Sequence, residues 1–490
     1  MKKNYLVLMF SLIVSVSFAQ VELVKDITNG GHSTHISGMI ADSEKIVFRG
    51  NKYTFSTDTT MYNVVYVSDG TAENTRSIEI NAGAHSMGES FTVFNNEIYF
   101  SATDGTDYGI YRIDETNDTG VKAADFQWKN PVVHNDMVYF WDFLSEADMK
   151  AIYSWDGITK TILPHQENIM GTGKFIPFGN MFLVYGNITD DVPDRGTELL
   201  ILDPASGVTR ITDFALDVDA TPDSVDAKIT EFVTFGDKAY FIAWNELWET
   251  DGTKDKTSRV DVVNDELSGS VFFGNLYVWN DKIFCKGNNV LSESQLYVFD
   301  PIGDTFTRLT DYQLDFWGTG NLEPHFLDPR NFLANGDCLY FTGQDFVVED
   351  FTTPRRLFRT NGTYVERVTD TIGDVDHLTV FDDNVYMEAD NGITGKEFYI
   401  YRPTPFILPN FIPDFKAKSI TVFPNPSYGY LNLTGLETND AVYTLFDLTG
   451  RCLEKGMVVN GIINYKVKSG AYILHVAEGS NVKVAKILVK

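Results

Sequence analysis

Three aspartates in one loop could bind a metal ion. Asp190, Asp191 and Asp194 place several carboxylate oxygens close together in the sequence, and Ca²⁺ takes about six to eight oxygen ligands. Their spacing matches neither an EF-hand nor a nonapeptide repeat. The sequence therefore favours a solvated acidic loop, leaves calcium open as a ligand, and indicates no other cofactor.

Aromatic residues beside carboxylates suggest a second chemistry, the recognition of sugars. Rings can stack on a sugar face while carboxylates accept hydrogen bonds from its hydroxyls. The candidate binding aromatics are Tyr53, Trp141, Phe316, Trp317 and Phe346. Two carboxylates could also hydrolyse a glycosidic bond, but nothing in the sequence selects the pair, so the catalytic residues stay unknown.

Other chemistries find little support. The chain has no phosphate loop, nucleophile elbow or dinucleotide fingerprint in a suitable setting. Its formal net charge of −29 disfavours nucleic acid as a partner. The three cysteines, Cys285, Cys338 and Cys452, are too scattered for a disulfide scaffold, and we expect free thiols.

A two-part pattern recurs along the chain and must position these residues. Its first part is a short strand that ends at Phe48, Phe100, Phe140, Val184, Phe241, Cys285, Phe341 or Met387. Its second part has the form of ELWETDGT (246–253), with an aromatic slot and an acid–glycine turn. The slot holds Tyr66, Tyr111, Tyr153, Leu200, Trp248, Tyr297, Phe358 or Tyr399.

This pattern predicts an all-β fold. Alternating apolar residues separated by Asp-Gly and Asn-Gly turns indicate antiparallel hairpins. A unit of four strands repeated at this period is typical of a β-propeller blade. We expect eight blades, with seven as the alternative, and we expect the aromatic slots to pack between blades. The N-terminal segment VELVKDI (21–27) should supply the missing strand of the last blade.

The repeat resembles the ELWxxDGT propeller repeats of exported bacterial proteins. The likeness depends on Glu246-Leu247-Trp248, on Asp251-Gly252-Thr253 and on Val24-Lys25-Asp26-Ile27. It implies architecture only, since no common activity follows from it. The loops between second and third strands and the blade crossings should emerge on one face, which we take as the candidate binding face.

The two ends of the chain indicate export. Residues 1–19 have two lysines, an apolar run and a small-residue ending at Ala19, as in a signal peptide. No later segment is apolar enough to cross a membrane as a helix. We therefore divide the chain into a signal peptide (1–19), a propeller (20–403), a proline-rich linker (404–417) and a small β-sandwich (418–490).

The C-terminal segment resembles the type A C-terminal sorting domain of the type IX secretion system. The matching residues are Pro424, Asn425, Pro426, Gly429, Asp447, Gly450, Arg451, Gly470, Tyr472, Lys486 and Lys490. The resemblance implies that the secretion machinery and a sorting peptidase are partners. It also implies release from, or attachment to, the outer surface of a Gram-negative cell.

These observations predict an exported binding or adhesion propeller, with a glycan or a surface protein as ligand, and favour binding over catalysis without deciding between them. Two alternatives stay open. One is a secreted polysaccharide hydrolase or lyase with an acidic site in the propeller funnel. The other is a structural component of a surface assembly.

Overall fold

The computed structural model contains antiparallel strands in two compact units, Met1–Phe406 and Ile407–Lys490. The described residues are 20–28, 31–53, 61–78, 80, 89–103, 106–114, 116, 118–142, 151–164, 169–188, 197–213, 229–260, 273–288, 294–310, 313–314, 323–324, 327–344, 353–369, 371–404, 420–436, 441–446, 452–478 and 481–490. In this part of the chain, no helix is long and apolar enough to cross a membrane.

The first half of the first unit contains one N-terminal strand and four sheets. The N-terminal strand is β1 (Gln20–Lys25). Sheet 1 is β2 (Ser37–Ala41), β3 (Ile46–Tyr53), β4 (Met61–Ser68) and β5 (Arg76–Ile78); sheet 2 is β6 (Glu89–Phe94), β7 (Glu97–Thr103), β8 (Tyr108–Asp114) and β9 (Thr119–Ala124). Sheet 3 is β10 (Trp128–His134), β11 (Met137–Asp142), β12 (Ile152–Trp155) and β13 (Lys160–Ile162); sheet 4 is β14 (Ile169–Phe178), β15 (Met181–Ile188), β16 (Glu198–Asp203) and β17 (Gly207–Arg210).

The second half contains the remaining sheets of this unit. Sheet 5 is β18 (Glu231–Phe235), β19 (Lys238–Ala243), β20 (Glu246–Thr250) and β21 (Ser258–Arg259), with a 3₁₀ turn at Lys254–Lys256; sheet 6 is β22 (Phe273–Trp279), β23 (Lys282–Asn288), β24 (Ser294–Asp300) and β25 (Thr305–Arg308). A two-stranded ribbon follows, β26 (Gln313–Leu314) with β27 (Glu323–Pro324). Sheet 7 is β28 (Arg330–Asn335), β29 (Cys338–Gln344), β30 (Arg355–Thr360) and β31 (Val365–Arg367); sheet 8 contains β32 (Gly373–Phe381), β33 (Asn384–Asp390) and β34 (Lys396–Arg402).

The sheets follow one another through their first strands. Sheets 1 to 7 keep their strands in sequence order, whereas sheet 8 has the order β1-β34-β33-β32. Each first strand contacts the first strand of the next sheet, and β32 contacts β2. Each neighbouring pair of sheets shares an apolar cluster, as do sheets 8 and 1. Many four-stranded antiparallel sheets packed in this way are consistent with the predicted propeller.

The recurring aromatic positions face each other across the second and third strands of every sheet. The opposed pairs are Phe48–Tyr66, Phe100–Tyr111, Phe140–Tyr153, Val184–Leu200, Phe241–Trp248, Cys285–Tyr297, Phe341–Phe358 and Met387–Tyr399. In five pairs two rings stack, with centroids 5.3 to 6.4 Å apart. All eight slot residues belong to, or pack against, the clusters between sheets. The prediction that the slots have a packing role is confirmed.

The acid–glycine phrase forms a compact turn. The Asp251 carboxylate accepts hydrogen bonds from the Thr253 N–H (3.0 Å) and hydroxyl (2.6 Å). Gly252 has φ +89°, a conformation that favours glycine, and its N–H donates to the Thr250 hydroxyl at 3.0 Å. The segment 68–75 makes the same set of bonds. The two segments share residues because both form this hydrogen-bonded turn.

The N-terminal segment is bound to sheet 8 through one buried carboxylate. β1 pairs antiparallel with β34. Glu397, which is 0% exposed, accepts hydrogen bonds from the N–H of Ile27 (2.9 Å), from the N–H (3.4 Å) and hydroxyl (2.5 Å) of Thr28, and from the hydroxyl of Thr34 (2.6 Å). Burial raises the pKa of Glu397. The bonds satisfy a group that would be costly to bury alone.

The second unit contains seven strands in its described part. They are β35 (Thr421–Phe423), β36 (Tyr430–Thr434), β37 (Val442–Phe446), β38 (Cys452–Met457), β39 (Ile462–Asn464), β40 (Gly470–Glu478) and β41 (Asn481–Val489). One sheet has the order β35-β36-β39 and the other β38-β37-β40-β41. Both sheets contribute to one core, which includes Leu431, Leu445, Leu474 and Ile487. The predicted two-sheet arrangement is therefore present.

Two of the three cysteines have described side chains. Cys285 and Cys338 are free and buried, and they lie in different clusters. Burial raises the pKa of the Cys285 thiol, so this thiol should be unreactive. Cys452 is the first residue of β38.

Replacing Glu397 should weaken the first unit strongly. Glu397→Ala leaves the donors of Ile27, Thr28 and Thr34 without their acceptor, so we expect a loss of about 3 kcal/mol in the free energy of unfolding. Urea unfolding followed by tryptophan fluorescence measures it. The matched control is Glu246→Ala, since Glu246 also lies at the start of a third strand but its side chain is 34% exposed and paired with Arg259. The loss of unfolding free energy in this variant should stay below about 1 kcal/mol. Equal losses in the two variants would contradict this role of Glu397.

Candidate functional site

Charged side chains line one end of sheets 5 to 8. We call this group the charged band; its members are Glu231, Lys286, Asp328, Arg330, Arg355 and Asp376. Three of them stand at the start of β18, β28 and β30, Lys286 lies near the end of β23, and Asp328 lies two residues before the start of β28. Strand starts and ends of this kind meet at the same edge of consecutive antiparallel sheets, so the band follows one face of the first unit.

Asp328 is the centre of the band. Its carboxylate lies 3.3 Å from Lys286 Nζ, 2.6 Å from Arg330 Nη2 and 3.1 Å from Arg355 Nη1. Burial alone would raise the pKa of Asp328, but the three cations outweigh it and hold the pKa below its usual value. One carboxylate thus keeps three cationic side chains in place, with Arg330 about half exposed.

The band continues on both sides of Asp328. Toward sheet 5, Lys286 and Glu231 both border the open space over Gly274, and Glu231 accepts the N–H of Leu276 at 2.8 Å. The lack of a side chain at Gly274 leaves room for the Lys286 ammonium. Basic and acidic groups therefore alternate from sheet 5 to sheet 7.

Toward sheet 8, the charged band is connected to Asp376 through Asn331. Asn331 donates from Nδ2 to Asp376 Oδ1 at 2.6 Å and to Thr342 Oγ1 at 3.2 Å, and Arg355 Nε donates to the same hydroxyl at 3.3 Å. Asn331 has φ +54° and sits in a bulge of β28. Bulges re-aim side chains, and this one directs an amide of sheet 7 to an acid of sheet 8.

Glu388 extends the series to sheet 1. It stands opposite Asp376 in the register of β32 and β33 and accepts the N–H of Ile36 at 2.7 Å. Burial raises the pKa of Glu388 to about 7, with further upward effects from Asp376 and Glu397 and opposing ones from the Ile36 N–H and Lys396.

Alternating acids and bases suit a polyhydroxylated or zwitterionic ligand. Carboxylates accept hydrogen bonds from hydroxyls, and guanidinium groups donate in a fixed planar geometry. The sequence analysis missed Lys286, Arg330 and Arg355, because their strands are recognisable but their spatial neighbours are 42 and 27 residues away along the chain. One feature of the sequence could have indicated the charged band: a basic residue, Lys286, directly follows the strand-ending position Cys285.

The interpretation of Trp141 as an exposed binding aromatic is wrong. Trp141 is 0% exposed and packs between sheets 3 and 4, with its ring edge-on to Phe175 at 6.2 Å. Its position explains the error: it follows Phe140 in β11, where both faces of the strand are covered by neighbouring sheets. Successive side chains of a strand point to opposite faces, and where both faces are buried none of these side chains is exposed.

The other predicted binding residues are not tested by the geometry. Tyr53 is the last residue of β3, opposite Met61. Asp190, Asp191, Asp194, Phe316, Trp317 and Phe346 lie outside the described residues. Within the described ranges, no group of three or more His, Cys, Asp or Glu residues could hold a metal ion. Calcium binding therefore stays a prediction.

The predicted sorting motif comes together at the last strand. Asn425 donates from Nδ2 to the Lys486 carbonyl at 2.9 Å and accepts the N–H of Leu488 at 2.8 Å. The N–H of Lys490 donates to the Ser427 carbonyl at 3.0 Å. The bonds Phe423–Pro424 and Asn425–Pro426 are both cis. The Pro-Asn-Pro segment and the basic ending are thus one structural feature.

Further motif residues have backbone roles. Gly429 has φ +92° and its carbonyl accepts the N–H of Tyr465 at 3.0 Å. Gly470 stands opposite Val489, and the Tyr472 hydroxyl donates to the Lys468 carbonyl at 2.6 Å. Asp447, Gly450 and Arg451 lie outside the described residues.

A family described as the secretion system C-terminal sorting domain matches residues 421–490. The tail is a sorting domain. It marks a secreted or cell-surface bacterial protein and implies an interaction with the type IX secretion machinery. No curated protein matches the chain.

Several solved structures are similar to the chain at low identity. A computationally designed protein, Ika8, is 12% identical, with 76% of this chain and 98% of that one covered and a TM-score of 0.43. The β-propeller domain of the Trilobed protease from Pyrococcus furiosus is 12% identical, with 69% and 99% covered and a TM-score of 0.37. Pyrococcus horikoshii acylaminoacyl peptidase is 10% identical, with 75% and 59% covered and a TM-score of 0.42.

Glu388 should make stability depend on pH. In the folded chain its pKa is about 7, whereas the unfolded value is about 4.5. The unfolded state therefore binds fewer protons between these values, and stability falls as pH rises through this window. Glu388→Gln should remove the fall and raise the free energy of unfolding on the order of 2 kcal/mol at pH 8, with no gain at pH 4.

Urea unfolding of both proteins from pH 4 to 8 measures this difference. Glu246→Gln serves as the control, because the Glu246 side chain is 34% exposed and forms an ion pair with Arg259. Parallel pH curves for Glu388→Gln and the unmodified protein would contradict the prediction.

Proposed function

We propose that this protein is an exported eight-bladed β-propeller, closed by β1, that binds a ligand at the cell surface with its charged band and the loops around it. Support for eight blades comes from the eight sheets and the apolar cluster that each shares with the next. The matching turns at 68–75 and 250–257 support propeller repeats of the ELWxxDGT type. The binding role continues the inference from the sequence.

One observation carries the binding proposal: the charged band lies at the strand ends from which long acidic segments emerge. Segment 311–330 ends at the first residue of β28, and segment 343–354 ends next to Arg355. The recurring aromatics are used for packing, whereas charged groups with partly exposed heads concentrate at this edge. A site of this kind would hold a polar ligand through hydrogen bonds of fixed direction. Holding a ligand without changing it is the function of an adhesion module.

The proposed ligand is a polysaccharide. Alternating donors and acceptors at fixed positions match the hydroxyl pattern of a sugar chain. Arg330, about half exposed, is the residue best placed to donate to a ligand while Asp328 holds it. Calcium bound by Asp190, Asp191 and Asp194 would assist, since a cation reduces the repulsion between an acidic surface and an acidic glycan.

Incubation of the mature chain with insoluble polysaccharides, with calcium or with chelator, tests the proposal. Retained protein and released reducing ends are both recorded. We expect retention without cleavage, and about tenfold less retention for Arg330→Gln, since a hydrogen bond to a charged group contributes about 1.5 kcal/mol. Arg259→Gln is the control, because Arg259 is equally exposed and makes an ion pair in sheet 5.

Two results would overturn this function. Released reducing ends would indicate a hydrolase or lyase. Absence of retention on every polysaccharide would favour a structural component with protein partners.

A further inference from the structure

A groove in the sorting domain lies between the edges of its two sheets. Its volume is about 380 Å³, and its lining includes Tyr443, Met457, Val459, Ile462 and Asn464. β38 is the edge strand of one sheet and β39 of the other. The groove therefore runs between two strand edges, which offer backbone N–H and C=O groups for pairing.

Three of the side chains that line the groove are apolar and open to solvent, beside the polar Asn460 and Asn464. Met457 is 55% exposed, Val459 62% and Ile462 39%. Seven of the sixteen large apolar side chains exposed in the described chain belong to this small unit. Exposed apolar residues on edge strands promote aggregation unless a partner covers them, so their concentration here marks an interaction surface.

The groove is preformed. The Val459 and Ile462 main chains exchange hydrogen bonds of 2.9 and 3.0 Å, and between them Asn460 and Gly461 have φ +51° and +72°. Positive φ at both central residues is typical of the type I′ hairpin, which matches the twist of its strands. The rim is consequently a rigid hairpin.

The floor is the ring of Tyr443. A Cβ on Gly456 would lie 2.8 Å from that ring, so glycine at this position leaves room for the ring against β38. The Tyr443 hydroxyl lies 2.8 Å from the Asn464 carbonyl and 3.0 Å from the Glu454 carboxylate. This hydroxyl joins β38 to β39 and fixes the width between the two edges.

Charge indicates what the groove accepts. Lys455 and Lys466 are exposed; each lies two residues beyond a lining residue of its strand. Glu454, the nearby acid, is engaged by Tyr443 and by the N–H of Lys466 at 2.9 Å. Lys455 and Lys466 are therefore two exposed cations close in sequence to the lining residues Met457 and Asn464.

We propose that this groove is the surface by which the sorting domain docks on the secretion machinery, and that it takes an extended strand with apolar side chains and an acidic residue. Strand addition would pair the open edge of β38. The apolar side chains would cover Met457, Val459 and Ile462, and the acid would meet Lys455 and Lys466. The inference rests on the sorting-domain match and is independent of the proposed ligand of the propeller.

Export of the full chain from a bacterium with a type IX system tests the proposal. In Met457→Glu/Val459→Glu, charges occupy the groove, and we expect the extracellular fraction to fall at least tenfold while the protein accumulates in the periplasm. Ile302→Glu/Ile393→Glu is the control, since both are apolar side chains with 80% exposure and both lie outside the sorting domain. The control should be exported like the unmodified chain.

A second variant tests the docking proposal if Met457→Glu/Val459→Glu does not fold. Lys455→Glu/Lys466→Glu changes only exposed side chains, and it should also reduce export while protease resistance of the purified protein stays unchanged. Normal export of this folded variant, or an equal loss in the control, would overturn the proposal. Loss of polysaccharide retention alone would bear on the propeller and not on the groove.

Discussion

The proposed ring depends on one junction, the attachment of the N-terminal segment to sheet 8. Among the described strands of the first unit, sheets 1 to 7 are built from consecutive strands, whereas sheet 8 combines strands from the two ends of the unit. The Glu397 carboxylate binds residues 363 to 370 positions away. Because β1 covers the edge of β34, sheet 8 has no open edge there that could pair with another chain.

The junction also places Glu388 and the charged band. Ile36, whose N–H binds Glu388, lies two residues after Thr34, which donates to Glu397. Glu388 is the register partner of Asp376, which accepts a hydrogen bond from Asn331. Asn331 and Arg355 both donate to the Thr342 hydroxyl, and Arg355 also contacts Asp328. Small changes at the junction would therefore reach the face that we propose for binding.

Much of the fold was predictable from the sequence, because its signals are local. The strand-ending positions and the aromatic slots form opposed pairs in every sheet, and the acid–glycine turns depend on residues within the same phrase. The pairing partner of VELVKDI was also predictable, since the last unit lacked an outer strand. The charged band was not, because Lys286, Asp328 and Arg355 meet only after three segments fold. The prediction that Trp141 is exposed failed for a related reason. Polar residues near it in the sequence do not reveal that its strand is buried on both faces.

Hydrogen–deuterium exchange tests the role of the junction most directly. The full chain would be compared with a variant that lacks residues 20–28. If the junction holds the ring, amides of β33, β34 and β2 should exchange at least tenfold faster in the variant, while β37 and β40 of the sorting domain stay unchanged. Equal protection of β34 in the two proteins would contradict the central role of the N-terminal strand.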